Sequence, residues 1–279
     1  MAQIKFPAMP LADWQPTRDT IHRYCQLVGA IRSALTPPQK HWWHVSLLPD
    51  VTGLTTTAMP AGENCAANAF KLQLDFTAHK LVLTTSLGQR WHLPLQGQSV
   101  ATFCDQTLAA LTNLGIQAQI DRDAFSDESP REYDQVAAER FWLVLSQIDA
   151  IFRQFKSELR QETSAVNLWP HHFDMAFVWF SGRLVPGVDP ADAENADEQM
   201  SFGFSTGDET IPDAYFYISA YPMPDGLEEL DLPAPASWNT RGFEGVLLMY
   251  ESLVGIKDPR ERLLELLRTV FHAGSNLMK

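Results

Sequence analysis

The sequence predicts an α+β protein made of two similar α-β-α halves whose sheets are mainly antiparallel. The chain has 279 residues, of which 45% are hydrophobic and 11% aromatic, and this is enough apolar material for one large domain or two compact ones. Long apolar stripes at helical spacing alternate along the chain with groups of short strand-like runs. These runs follow each other across short turn segments, which is typical of antiparallel sheets.

The first half, residues 1–120, begins with an amphipathic helix. Pro16 and Thr17 favour a helix start, and Pro37 and Pro38 favour its end. In a later run Phe70, Leu72, Leu74 and Phe76 alternate with polar residues, as in a strand with one solvated face. A second helix is predicted over residues 100–114. Strands are predicted at 44–48, 54–59, 70–76, 81–85, 91–95 and 116–120.

The second half, residues 136–279, follows a polar segment at 121–135 that is typical of a linker. It repeats the order of a helix, a group of strands and further helices. Helices are predicted at 135–159, 245–253 and 259–272, and strands at 173–180, 200–204 and 215–221. Short matches occur in the same order in both halves, such as Gln26 with Gln147 and the Trp–His pairs at 42–44 and 169–171. The pattern therefore predicts an internal duplication.

Charge and cysteine content restrict the classes of partner and the compartment. The net charge is −13, and no basic stripe is present, which argues against nucleic acid and anionic membranes as partners. No run approaches the ~18 apolar residues of a membrane span, and the first residues do not resemble a signal peptide. Three cysteines without a CxxC pair are typical of reduced thiols. We therefore expect an acidic, soluble protein of the cytoplasm.

Several segments resemble a known family. They are residues 14–22, 26–32, 41–45, 53–56, 74–81, 169–174, 180–183 and 203–208. Together they resemble the bacterial domain of unknown function family 5996, over most of the chain. That family has no established activity, substrate or cofactor, so the resemblance implies a bacterial source but no function.

The most conspicuous polar cluster is His171, His172 and Asp174 at the head of a predicted strand. Strand alternation would place His172 and Asp174 on one face. His172 oriented by Asp174 is then the candidate general base of an enzyme. A metal site would need at least three protein ligands, which His44, His171, His172 and Asp208 could supply. Histidines with a purely structural role are the other reading.

The first predicted helix carries a second candidate cluster. His22, Gln26 and Gly29 share one face of it. Glycine inside a helix costs about 1 kcal/mol relative to alanine, which indicates close approach of another helix or a ligand. If the halves are duplicated, Gln26 and Gln147 would both point toward the centre. A polar and aromatic cleft would then lie between the halves, lined by Trp42, His44, Trp169 and His171.

One motif is expected to be structural. Residues 203–207 match the G-x-S-x-G pattern of a hydrolase nucleophile elbow. That motif requires a helix directly after the serine, and here another predicted strand follows. A glycine-rich hairpin turn is therefore expected.

The sequence favours a small-molecule binding protein or enzyme with its pocket between the halves. The ligand-binding candidates are His22, Gln26, Trp42, His44, Gln147, Trp169, His171, His172, Asp174 and Asp208. Two alternatives stay open, a non-catalytic interaction or dimerisation module and a metal-dependent hydrolase. No cofactor is evident, and neither catalysis nor a homodimer is decided by the sequence.

Overall fold

The structure is a computed structural model that describes residues 5–278. Within that range it contains four α-helices and two six-stranded antiparallel sheets, which confirms the predicted α+β class. The helices are α1 (Gln15–Leu35), α2 (Val100–Asn113), α3 (Gln135–Glu158) and α4 (Pro259–Leu277). None of the helices in this range has the length and apolar character needed to cross a membrane.

The chain divides into two compact units. The first unit consists of Trp14–Trp142 with Leu168–Phe173. The second unit consists of Met1–Asp13, Leu143–Asn167 and Asp174–Lys279. The segment 121–135 belongs to the first unit, where the Thr20 hydroxyl donates to the Glu132 carbonyl over 2.7 Å. The predicted duplication, and the division into residues 1–120 and 136–279, stay predictions.

The first unit is built on a sheet with strand order β1-β2-β4-β5-β6, and β3 pairs with β4. In β4, Phe70, Leu72 and Leu74 are buried while the residues between them are half-buried, so the predicted alternation is confirmed. Burial of each such side chain stabilises the fold by about 1.5–3 kcal/mol. The strands are β1 (Leu48–Pro49), β2 (Gly53–Thr55), β3 (Met59–Pro60), β4 (Ala69–Asp75), β5 (Lys80–Thr85) and β6 (Arg90–Pro94).

Helix α1 forms because its apolar residues repeat at helical spacing. Proline occupies its first turn, where a missing N–H is tolerated. At the other end the Thr36 hydroxyl donates to the Arg32 carbonyl over 2.6 Å, and Pro37 cannot continue the helix. The buried stripe contains Ile21, Tyr24, Cys25, Leu27, Val28 and Ile31.

The second sheet has the strand order β11-β12-β10-β9-β8-β7, and its strands β8 to β12 belong to the second unit. Aromatic side chains cover one of its faces: Phe155 and Phe271, from α3 and α4, contact Phe202 of β9 with ring centroids 5.2 and 6.5 Å away. The strands are β7 (Asn167–Trp169), β8 (Asp174–Leu184), β9 (Asp197–Ser205), β10 (Tyr215–Tyr221), β11 (Ser237–Asn239) and β12 (Gly245–Met249).

Four predicted elements differ from the structure. The strand predicted at 54–59 is two short strands, β2 and β3, with residues 56–58 outside both. The strand predicted at 44–48 starts too early, because His44 and Val45 end a 3₁₀-helix at Lys40–Val45 and β1 begins only at Leu48. The helix predicted at 245–253 is β12 followed by a 3₁₀-helix at Tyr250–Leu253, because pairing with β10 decides between two readings of a short apolar run. Residues 116–120 form no strand.

The expectation for residues 203–207 is confirmed. Strand β9 ends at Ser205, and Gly207 follows with a φ of 99°. Residues 203–205 are the end of β9 and no helix comes directly after the serine, so the segment leads into the loop before β10 and is not a nucleophile elbow.

Candidate functional site

The candidate residues are distributed over both units. The first unit contains His22, Gln26, Trp42, His44, Trp169, His171 and His172. The second unit contains Gln147, Asp174 and Asp208. Each set is described within its own unit, and the predicted cleft between the halves stays a prediction.

His171 and His172 lie on a turn and not on a strand. Strand β7 ends at Trp169, and the Phe173 amide closes the turn by donating to the Trp169 carbonyl over 2.8 Å. Pro170 has no N–H to continue the sheet ladder, which explains why the strand stops there. Both histidines are exposed. The alternation predicted for residues 171–174 is therefore wrong.

The turn is held in place by aromatic packing and by His22. Phe173 has a φ of 59°, which is strained for a bulky side chain. Its ring stacks on the His22 ring with centroids 4.9 Å apart, and on the Phe141 ring at 5.4 Å. His22 Nε2 also lies 2.9 Å from the Pro170 carbonyl oxygen. These contacts fix the position of the segment that presents His171.

His22 connects this turn to the polar face of α1. Its Nε2 lies 3.0 Å from Nε2 of Gln26, and Arg23 donates to the Oε1 of the same amide. Burial lowers the pKa of His22 below its ordinary 6.5, although the hydrogen bond with Pro170 acts in the opposite direction. The imidazole is therefore neutral at pH 7.

Gly29 allows the turn to approach the helix. A Cβ atom at this position would lie 2.7 Å from Cγ of Pro170 and 3.1 Å from the carbonyl oxygen of Val45. No larger residue fits without movement of one of these groups. The close approach predicted for Gly29 is thus made by Pro170 and by Val45.

An open groove of about 320 Å³ lies along this face of α1. We call it the α1 groove, and it is lined by Gln26, Gly29, Ala30, Ser33, Val45, Pro170 and His171. The four helical residues are spaced so that they share one face. Sequence reasoning singled out Gln26, Gly29 and His171 but missed Ala30, Ser33, Val45 and Pro170. The small and polar residues at 26, 29, 30 and 33 were the available signal.

Trp42 and His44 lie on the 3₁₀-helix that ends at Val45. His44 is buried and its Nδ1 accepts from the Gln39 amide over 3.1 Å. Burial, followed by the charge of Arg32, lowers the pKa of His44. Trp42 is 51% exposed and has a φ of 57°. Neither side chain lines the α1 groove, and Trp169 does not line it either.

In the second unit the two aspartates each accept a hydrogen bond from a tyrosine. The buried Asp174 accepts from the Tyr217 hydroxyl. The exposed Asp208 accepts from the Tyr215 hydroxyl over 2.6 Å. Burial, followed by the charge and hydrogen bond of Asp174, raises the pKa of Tyr217 well above 10, so the phenol keeps its proton and donates it.

Gly203 makes room for one of these tyrosines. Tyr217 and Gly203 are register partners in the sheet, and a Cβ on Gly203 would lie 2.1 Å from the Tyr217 ring. The third predicted residue of this unit, Gln147, has a buried Oε1 with no hydrogen-bond partner among residues 5–278.

Comparison with protein families gives one match. The model of a family of unknown function (DUF5996) covers residues 6–279. The chain belongs to this family. No curated protein and no solved structure matches the chain. The resemblance carried by the eight sequence segments is therefore confirmed, and family membership assigns no ligand or reaction.

Two other kinds of site in this DUF5996 protein, a metal site and another cavity, are less clear candidates than the α1 groove. In the described part of the chain no group of three or more His, Cys, Asp or Glu side chains is arranged to hold a metal ion. A larger cavity of about 520 Å³ lies in the second unit, where α4 begins. Its charged lining mixes both signs: Lys257, Asp258, Glu261, Arg262 and Glu265.

The α1 groove combines an apolar wall with groups that can form hydrogen bonds. Ala30, Val45 and Pro170 supply apolar surface. The amide of Gln26, the hydroxyl of Ser33 and the imidazole of His171 supply polar contacts. Such a mixture is typical of ligand sites, where a few polar groups fix the orientation of a molecule held by apolar walls.

Proposed function

We propose that this protein binds a small organic molecule in the α1 groove. The observation that carries the proposal is the groove itself, which lies on the face of α1 where Pro170 packs against Gly29, beside the exposed His171. The volume of about 320 Å³ falls at the lower end of the ~300–1,000 Å³ of small-molecule sites.

Preorganisation supports this proposal. His22 and Phe173 anchor the turn that carries Pro170 and His171, and helix α1 carries the remaining polar groups. A site whose walls are already fixed loses little conformational entropy when a ligand binds. Weak contacts in an open groove can then give useful affinity.

The sequence predicts a pocket between the two halves, whereas the binding site proposed here lies within the first unit. Catalysis is a separate proposal. If the bound molecule is also converted, the exposed His172 is the proposed general base, without orientation by Asp174, which accepts a hydrogen bond from Tyr217. We also propose residence in the cytoplasm, because the three cysteines are free thiols and two of them, Cys25 and Cys104, are buried.

A fragment library containing acidic, basic and neutral compounds tests the site. Hits detected by amide chemical shifts are expected to move the signals of Ala30, Ser33 and Val45. Ala30→Phe should fill the groove and weaken these hits at least 10-fold, about 1.4 kcal/mol. Ala34→Phe is the matched control, since Ala34 is an exposed residue of the same helix outside the groove. Hits that map elsewhere, or that both variants bind equally well, would refute the proposal.

The alternative is a non-catalytic interaction module, and one observation favours it. Trp42 is 51% exposed at a strained backbone position, and large exposed aromatic residues often anchor protein interfaces. If the interface joins two copies, light scattering should detect a dimer that Trp42→Ala dissociates. A monomer at every concentration would remove the homodimer form of this alternative.

A further inference from the structure

The side chain of Arg32 is buried without a carboxylate partner. Only 8% of the residue is exposed. Its Nη1 donates to the Ser46 carbonyl and lies 3.5 Å from the Ser46 hydroxyl. Its Nε is buried and has no partner among residues 5–278. No aspartate or glutamate in that range forms an ion pair with it.

A buried and uncompensated cation needs a physical explanation. Burial of a charge is unfavourable unless an opposite charge or several hydrogen bonds replace the lost water. Burial lowers the pKa of Arg32, but a guanidinium keeps its proton in proteins. The first unit therefore holds a permanent positive charge whose cost no described carboxylate offsets.

This charge lies behind the wall of the α1 groove. Ser33 follows Arg32 in α1, and Val45 precedes Ser46, whose carbonyl the guanidinium contacts. Ser33 and Val45 both line the groove. Because the intervening medium is protein rather than water, the field of the guanidinium is weakly screened there. The same charge contributes, after burial, to lowering the pKa of His44, which lies on the 3₁₀-helix that ends at Val45.

The groove lining contains no acidic residue, although the chain has a net charge of −13. Its polar groups can all donate hydrogen bonds: the amide nitrogen of Gln26, the hydroxyl of Ser33 and a ring N–H of His171. Arg23 occupies the amide oxygen of Gln26, and the NH₂ group already lies 3.0 Å from Nε2 of His22, so one N–H of this amide can reach a ligand. Donors backed by a buried cation are complementary to an anion.

We propose that the ligand of the α1 groove carries a carboxylate or phosphate group, and that Arg32 is a specificity-determining residue that selects for this charge from behind the wall. The inference rests on the proposed function and adds the chemical class of the ligand. An organic anion with an apolar part fits the combination of donors and apolar wall.

A matched pair of fluorescent probes tests the charge requirement. Anilinonaphthalenesulfonate carries a sulfonate, and phenylnaphthylamine has the same rings without it. The wild-type protein should bind the sulfonate at least 10-fold more tightly, and this preference should decrease as salt is added. Inorganic phosphate should compete with the sulfonate probe, and Ala30→Phe should weaken both probes.

Substitution of Arg32 separates charge from shape. Arg32→Gln removes the charge but keeps a donor for the Ser46 carbonyl. It should weaken binding of the sulfonate probe about 10-fold and leave the affinity for phenylnaphthylamine unchanged. The melting temperature should be unchanged or higher. Arg32→Lys keeps the charge and should retain the preference for the sulfonate.

The possible failures are distinguishable. If both probes bind with equal affinity, or if Arg32→Gln weakens both to the same extent, the anion requirement is wrong while the groove proposal survives. If Ala30→Phe affects neither probe, the groove itself is wrong. Should Arg32→Gln fail to fold, the probe preference of the wild-type protein and its salt dependence still decide the inference.

Discussion

The two units place buried charge in different settings. In the second unit, Asp174 is buried, but it accepts a hydrogen bond from Tyr217, whose ring lies over Gly203. In the first unit, Arg32 is buried, and among residues 5–278 its partners are the carbonyl and hydroxyl of Ser46, next to an open groove. The comparison teaches that buried charge alone does not indicate function. A charge that the fold itself satisfies is structural, whereas one left uncompensated beside open space is suited to an external ligand.

The largest loss of stability is expected when the Tyr217 ring is displaced from its position over Gly203 in the second unit. In Gly203→Val the new side chain would occupy the position of the Tyr217 ring, since even a Cβ would lie 2.1 Å from it. Overpacking of this kind costs about 3 kcal/mol or more. Urea denaturation should show a lower midpoint with an unchanged slope. Ser201→Ala in the same strand is the control, and equal stability of the two variants would contradict the packing described here.

The second-largest loss of stability is expected at one of the two tyrosine–aspartate pairs. Tyr217→Phe removes a hydroxyl from the buried Asp174 and should reduce the free energy of unfolding by about 2 kcal/mol. Tyr215→Phe removes a hydroxyl from the exposed Asp208, which water can replace, so its loss should be smaller. Equal losses measured by denaturation would show that burial does not distinguish the pairs.

A smaller effect is expected where α1 meets the turn. Gly29→Ala gains about 1 kcal/mol of helix propensity but places Cβ 2.7 Å from Pro170, so a net loss of about 1 kcal/mol is expected. The double variant with Pro170→Ala should recover part of this loss, because the clashing Cγ is absent. Thermal unfolding of both single variants and the double variant measures the coupling. Additive changes would mean that Gly29 and Pro170 do not interact.

The smallest effect is a dependence of stability on pH. The folded-state pKa of His22 is lowered from 6.5, chiefly by burial, so the unfolded chain takes up the proton first as the pH falls. The contribution of His22 to stability is complete above 6.5. It decreases below 6.5, until the pH reaches the lowered folded-state pKa.

Unfolding measured over this pH range checks the contribution. His22→Gln should have a shallower pH dependence below 6.5 than the wild-type protein, and replacement of the exposed His92 serves as control. The same slope in both variants would argue against a buried neutral His22.

Local pattern explains which features the sequence could predict. The stripe of α1 and the alternation of β4 follow from apolar spacing, so the helix ends and the strand ends agree with prediction within a residue or two. Gln26, Gly29 and His171 could be singled out because polar groups and a glycine interrupt an otherwise apolar pattern. Val45 and Pro170 could not be singled out, since nothing in their local sequence shows that they will meet this face of α1.

The sequence by itself determined the α+β class, the family and the helical face that carries the α1 groove, because these depend on side chains only a few residues apart. Tertiary structure decided that the Trp169–Pro170 segment ends a strand against Gly29 and that residues 245–249 pair with β10 instead of forming a helix. It also decided that Arg32 is buried with no carboxylate partner in the described part of the chain. Each of these outcomes depends on groups brought together from distant parts of the chain. The packing and desolvation of these groups determine the free energy of each arrangement, and a local sequence pattern does not predict which groups will come into contact.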